Sequence, residues 1–350
     1  MGSIREDLLR PLLTSIRGHD ADRPAFSDGR RTVTFGDLLS GTGCLDVERG
    51  DRVLIHVGNR VEYVEYLLAA LRSAAVAVPV SARATEAELA HIAQDSGATL
   101  IVTEAANAEL ARKLNLRTVI VEDGPDFGPP RDDLSVDEPA WLLYTSGTTG
   151  RPKGVLTTQR AMLWSTAACY APTFGLSDRD TLLWSLPMPH AYALSLAIIG
   201  SITVGAHTRI VDGNPGPLLA EYPGCVLAGV PTTYLQLRPS IDAPPPRLCL
   251  SSGAACPPAT RAAVQEMFGV PFLDGYGSTE AGGKIAVQRP GEESLTPLPG
   301  VDVRIVHGEI QVRSPGLMLC YHGQPTTSIV DGWYHTGDAG RFEDGRLTVQ

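Results

Sequence analysis

The chain has 350 residues, enough for two domains or for one large domain built from subdomains. Hydrophobic residues make up 43% and charged ones 19%, a balance that excludes an intrinsically disordered chain. With 29 Lys and Arg against 39 Asp and Glu, the formal charge is −10. That disfavours a nucleic-acid surface, so any bound phosphate must be held by a local site and not by an overall positive field.

The opening segment, MGSIREDLLRPLL, carries acids early and has no clean apolar core, so it does not read as a secretory signal. From residue 53 to 123, β-rich runs alternate with helical ones. Strands are expected at Val53–Val57, Ala75–Val80, Thr99–Glu104 and Thr118–Glu122. A helix is expected over Glu62–Ala74, with apolar positions at Val64, Leu67, Leu68 and Leu71. Thr85 and Glu88 have capping-box spacing and open the next helix. Gly124 to Glu138 is rich in Pro and Asp and reads as a linker. A second alternating region follows, with strands near Leu182–Leu186, Arg209–Val211, Val226–Val230 and Leu248–Ser251, and helices over Arg160–Tyr170 and Thr260–Phe268.

After about residue 295 the texture changes to short β segments, and Asp344-Gly345 signals a hairpin. The expectation is an α/β fold: two parallel-rich sheets flanked by helices, plus a smaller, distorted β-barrel-like subdomain. The divisions read from the sequence are 1–138, 139–290 and 291–350. The longest apolar stretch, Tyr192 to Ala206, is broken by serines and Gly200 and is too short for a membrane span. Six scattered cysteines with no CxxC pair point to reduced thiols in a cytoplasmic protein.

The strongest chemical signal is YTSGTTGRPKG, Tyr144 to Gly154, directly after the apolar run Ala140–Leu143. Gly147, Gly150 and Gly154 let the backbone approach an anion closely. Hydroxyls of Thr145, Ser146, Thr148 and Thr149 add donors, and Lys153 adds a point charge, a set that suits a polyphosphate. The common P-loop pattern GxxxxGK[ST] is absent, because Gly154 follows Lys153.

YTSGTTGRPKG resembles the signature loop of the adenylate-forming superfamily of acyl- and aryl-CoA synthetases, adenylation domains and luciferases. Further matches follow in order: GYGSTE at Gly275–Glu280, GEIQVRSP at Gly308–Pro315 and DGWYHTGD at Asp331–Asp338. LPMPHAYAL (Leu186–Leu194) and GVPTTY (Gly229–Tyr234) resemble the acid-binding segments of coumarate- and malonate-type CoA ligases. The resemblance covers essentially the whole chain as the family's large N-terminal domain.

It implies ATP-dependent activation of a carboxylic acid to an acyl adenylate, with Mg²⁺ as cofactor and CoA or a carrier-protein phosphopantetheine as acyl acceptor. The implied nucleotide contacts are Thr145, Ser146, Gly147, Thr148, Thr149, Gly150, Lys153, Gly253, Ala254, Ala255, Tyr276, Gly277, Ser278, Thr279 and Asp338. Within these, Tyr276 would face the adenine, Thr279 the α-phosphate and Asp338 the ribose hydroxyls, with Glu280 as the metal ligand. The implied acid contacts are His190, Ala191, Tyr192, Gly229, Ser252, Gly253 and Gly277. Lys153, His190, Thr279 and Glu280 form the implied catalytic set.

Amino-acid-activating relatives usually place an aspartate just after the aromatic or His position; here it is Ala191. A buried substrate ammonium would be unpaired there, so an aryl, cyclic or short aliphatic acid without an α-amino group is expected. Arg209 or Arg238 is the expected partner of any second carboxylate. The chain stops at Gln350, before the family's small mobile domain and its lysine, so feeble turnover is expected of the isolated chain. Two other readings remain open: a catalytically silent nucleotide- or acyl-adenylate-binding module, and a loading domain of a polyketide or peptide synthase.

Overall fold

The computed structural model describes residues 3–145, 151–237, 243–289, 291–292, 294–324 and 328–350. Among these residues the strands form three sheets. The first runs, edge to edge, Cys320–Tyr321, Lys153–Thr158, Pro139–Thr145, Val76–Pro79, Arg52–His56, Leu100–Thr103 and Arg117–Ile120. The strands from Pro139–Thr145 through Arg117–Ile120 are parallel, whereas Pro139–Thr145 and Lys153–Thr158 are antiparallel. The second sheet is parallel from Phe272–Tyr276 through Leu248–Ser252, Val226–Gly229, Thr181–Trp184 and His207–Ile210 to Pro24–Ser27. Antiparallel strands close both of its edges.

The third sheet, Asp302–Val306, Glu309–Arg313, Trp333–Glu343, Ile329–Val330 and Arg346–Val349, is wholly antiparallel. Asp344 and Gly345 turn its last hairpin, and both have positive φ, 49° and 75°. That is the backbone a two-residue type I′ turn needs.

The central parallel strands of the two large sheets are short runs buried along nearly their whole length, VAVP, LIVT, TLLW and VLAG among them, as parallel strands covered on both faces should be. Val61–Arg72 is buried on nearly every side, with only Glu62 and Glu65 reaching outward. Each fully buried Leu or Val of this helix contributes about 2 kcal/mol of transfer free energy. One continuous core runs from Val53 and Tyr66 through Trp141, Met162 and Tyr170 to Trp184, Ile198 and Leu250, joining both large sheets. The Thr85–Glu88 capping box is present, with Glu88 N donating to Thr85 Oγ1 at 3.3 Å and Thr85 N to Glu88 Oε2 at 2.8 Å.

Three features depart from expectation. The sheets do not follow the divisions of the chain: Pro24–Ser27 belongs to the second sheet, and Pro139–Thr145, Lys153–Thr158 and Cys320–Tyr321 belong to the first. Strand pairing with distant partners decides membership, and periodicity along the chain carries no information about partners. The linker 124–138 is docked and not free: Arg72 donates to Asp132 Oδ1 at 2.9 Å and to the carbonyls of Leu39 and Thr42, both at 2.6 Å. Finally, the helix expected over Arg160–Tyr170 is α only through Gln159–Ser165 and widens to π over Thr166–Tyr170. The apolar stretch after Tyr192 is likewise π over Ala193–Gly200. No helix among the described residues is long and apolar enough to cross a membrane.

Candidate active site

Strand ends of the second sheet build a cavity of about 350 Å³. His190, Ala191 and Tyr192, from the turn after Thr181–Trp184, form one wall; Ser252 and Gly253, past the end of Leu248–Ser252, form another. Gly277, Ser278 and Thr279 close it. His190 stands at the solvent-facing rim, yet its concave surroundings strip enough water to lower its pKa below the usual histidine value. It is therefore neutral at pH 7 and can donate a hydrogen bond without adding charge. The Tyr192 ring meets Trp184 edge-on at 5.0 Å between centroids.

A second cavity, of about 420 Å³, lies on the other side of the same backbone. Gly253, Ala254, Ala255, Tyr276, Gly277 and Asp338 line it. Tyr276 Oη donates to Asp338 Oδ2 at 2.6 Å, which fixes the ring and the carboxylate together. Gly253 and Gly277 line both cavities, so the two are neighbours at a pair of residues without side chains. Gly277 must be glycine: a Cβ there would lie 1.7 Å from the Gly283 carbonyl oxygen.

Thr145 and Lys153 pair across the hairpin that carries the signature loop. Ser146, Gly147, Thr148, Thr149 and Gly150 lie outside the described residues. The Lys153 Nζ sits 5.4 Å from the centroid of the Tyr321 ring, and Tyr321 Oη donates to Glu280 Oε1 at 2.9 Å. The strand pair Cys320–Tyr321 and Lys153–Thr158 thus brings the loop lysine and the GYGSTE carboxylate to one place. Among the described residues no three His, Cys, Asp or Glu side chains gather to hold a metal. A cation at Glu280 would take its other ligands from phosphate oxygens and water, a donor set that fits Mg²⁺ and not a closed protein site.

One residue of the acid cavity escaped the motif reading. Lys284 is only 3% exposed and lines that cavity. Burial pushes its pKa down to about 8, against the raising influence of the Cys169 and Asp274 charges. Its backbone is fixed by Ser165, whose hydroxyl accepts from Lys284 N at 2.9 Å and donates to the Gly282 carbonyl at 3.0 Å. The available signal was a lysine inside the apolar run AGGKIAV, immediately after GYGSTE. Trp184 and Val230 also line the cavity without having been singled out.

Other expectations are corrected. Gly229 does not line the acid cavity; it is buried under Thr233 and Tyr234, and Val230 lines the wall in its place. Ser252 lines it, but its hydroxyl donates to the Gly275 carbonyl at 3.0 Å and ties two strands together. Arg209 is turned away, with its guanidinium beside Gly29 and the Ile210 carbonyl. Arg238 lies outside the described residues.

The chain is 32% identical to a naringenin synthase of Pestalotiopsis fici across 91% of its own length, spanning 14% of that protein. It is 30% identical to a feruloyl-CoA synthase of Amycolatopsis across 99% of its length, spanning 77% of that protein. The o-succinylbenzoate CoA synthetase of Bacillus subtilis, solved with a product analogue, superposes with a TM-score of 0.86 at 25% identity, covering 97% of this chain and 78% of that one. Residues 14–322 carry both cavities apart from Asp338 and the strand Arg346–Val349; they match the AMP-binding enzymes, and the chain belongs to that family.

Proposed function

We propose that the protein activates a carboxylic acid without an α-amino group to an acyl adenylate, and that the acyl group then passes to a thiol. The observation that carries this reading is the shared glycine pair. A nucleotide resting on Tyr276 and Asp338 and an acid seated beside His190 and Tyr192 would both border Gly253 and Gly277, the two glycines that line both cavities.

In the reaction a carboxylate oxygen attacks the α-phosphorus, the bond from that phosphorus to the bridging oxygen breaks, and pyrophosphate leaves with the electron pair. Two anions must approach, so the groups at their meeting point have to offset charge. Thr279 lines the acid cavity and its hydroxyl would donate to an α-phosphate oxygen, while neutral His190 would orient the attacking carboxylate. Lys153 supplies positive charge toward the leaving phosphates. Mg²⁺ held through Glu280 would supply further charge neutralisation. Asp338 would accept from both ribose hydroxyls, already aligned by Tyr276.

For the second half-reaction, a wider polar cleft of about 1020 Å³ adjoins the acid cavity at Leu186, Pro187 and Val230. A thiol entering there would reach the acyl carbon without crossing the nucleotide, and AMP would leave. That a naringenin synthase carries a matching segment as 14% of its length supports a second reading, in which the acceptor thiol is tethered within a larger synthase.

Acid-dependent exchange of pyrophosphate into ATP tests the first step. Exchange should require acid and fall sharply in Lys153→Ala. Nucleotide binding with no exchange for any carboxylic acid would leave only a binding module.

A further inference from the structure

The acid cavity contains a charge without a counter-charge. Among the described residues the Lys284 ammonium makes neither a hydrogen bond nor an ion pair; it lies 4.5 Å from the centroid of the Tyr192 ring. Asp274, whose charge it feels, is engaged elsewhere: its carboxylate accepts from Cys256 N at 3.3 Å and Gly275 N at 3.0 Å and pairs with Arg261. Two more donors on residues lining the same cavity, the Trp184 indole N–H and the Tyr192 hydroxyl, are buried without partners.

The placement is built into the backbone. Gly275 leaves the space that the lysine stem fills, since a Cβ there would lie 2.7 Å from Nζ. An unpaired buried ammonium is costly, and an aromatic face offsets only part of that cost. A monocarboxylic acid would set apolar atoms against it and add to the penalty. A neutral hydroxyl would satisfy a donor but not the charge. A carboxylate does both, because it accepts from the ammonium and carries the opposite charge.

We propose that Lys284 reads a second carboxylate on the substrate. The acid is then a dicarboxylic acid without an α-amino group. Its distal carboxylate rests against Lys284, with Tyr192 and Trp184 as donors, while its other carboxylate reacts beside Thr279. The inference rests on the cavity being the acid site proposed above. It makes Lys284 a specificity-determining residue, in the place first expected of Arg209.

The test uses matched pairs of acids: benzoic against benzene-1,3-dicarboxylic acid, and hexanoic against hexanedioic acid. Each is measured by pyrophosphate exchange and by calorimetric titration in the presence of AMP, with wild type and Lys284→Met. Wild type should favour the dicarboxylate of each pair. Lys284→Met should lose about 10²-fold or more in kcat/KM for it and should gain on the monocarboxylate. Thermal unfolding checks that the variant is folded.

Equal use of both members by wild type, or a dicarboxylate preference that survives Lys284→Met, overturns the inference and leaves acid activation standing. Dicarboxylate binding that needs Lys284, without exchange for any acid, supports the inference and removes the activity. Neither binding nor exchange overturns both.

Discussion

The two cavities that share the glycine pair treat their polar groups differently. Lining the second cavity, Tyr276 donates to Asp338 at 2.6 Å and Asp274 accepts from Cys256 N and Gly275 N, although the Arg261 Nε is buried without a partner among the described residues. Facing the acid side, the Lys284 ammonium, the Tyr192 hydroxyl and the Trp184 N–H have no such partners among the described residues. A ligand that meets the Tyr276–Asp338 pair exchanges one hydrogen bond for another, so binding at that pair is a matter of fit. A ligand on the acid side relieves a standing cost, and only the right chemistry relieves it. Tolerance and selectivity are thus held by different walls of one site.

The largest effect is expected where the walls coincide. Gly277→Ala forces a methyl group into the Gly283 carbonyl and should cost at least about 3 kcal/mol, read as a lowered unfolding midpoint or loss of folded protein. Next, Glu280→Gln should lower exchange by about 10²–10³ for every acid in a panel while leaving the acid KM in place. An effect that varied from acid to acid would blur the division between the walls.

Lys284→Met tests the other wall through stability. In the folded protein the lysine titrates near 8, below its ordinary 10.5, so between those values the unfolded chain binds more protons and wild-type stability rises with pH. Below pH 8 the whole penalty is present, with an upper bound of about 3 kcal/mol. Lys284→Met should therefore unfold at higher temperature than wild type at pH 7, and its advantage should shrink between pH 8 and 10.5. An advantage independent of pH would mean that packing, and not charge, sets it. The smallest change belongs to Tyr276→Phe. It loses one hydrogen bond to Asp338 and should weaken ATP binding by less than about tenfold with no change in acid preference, as calorimetry would read.

Much of the scaffold was legible in the chain. The alternation of apolar strands and helices gave the α/β class, and the Thr85 capping box and the Asp344-Gly345 turn appear where local chemistry demands them. These signals act over a few residues. What escaped notice depends on distance in the chain. Pro24–Ser27 joins strands nearly two hundred residues away, and its own sequence does not name its partner. Within the site, GYGSTE and DGWYHTGD gave Tyr276 and Asp338, which meet across 62 positions. Lys284 carried no motif, and its meaning came only from the walls that surround it. Gly229 was misplaced by one residue, because the strand's last turn decides which of Gly229 and Val230 faces the cavity.

The shared pair Gly253 and Gly277 also limits how such an enzyme can change its diet. A methyl group at Gly277 would collide with the Gly283 carbonyl, and at Gly253 the positive φ of 86° disfavours any side chain, so broader or narrower substrate range must come from other walls. Trp184 and Tyr192 line only the acid cavity and are not among the atoms nearest Gly253 or Gly277, whereas Val230 and the Lys284 backbone are. Redesign that starts at those two aromatic positions alters the menu and leaves the kitchen alone.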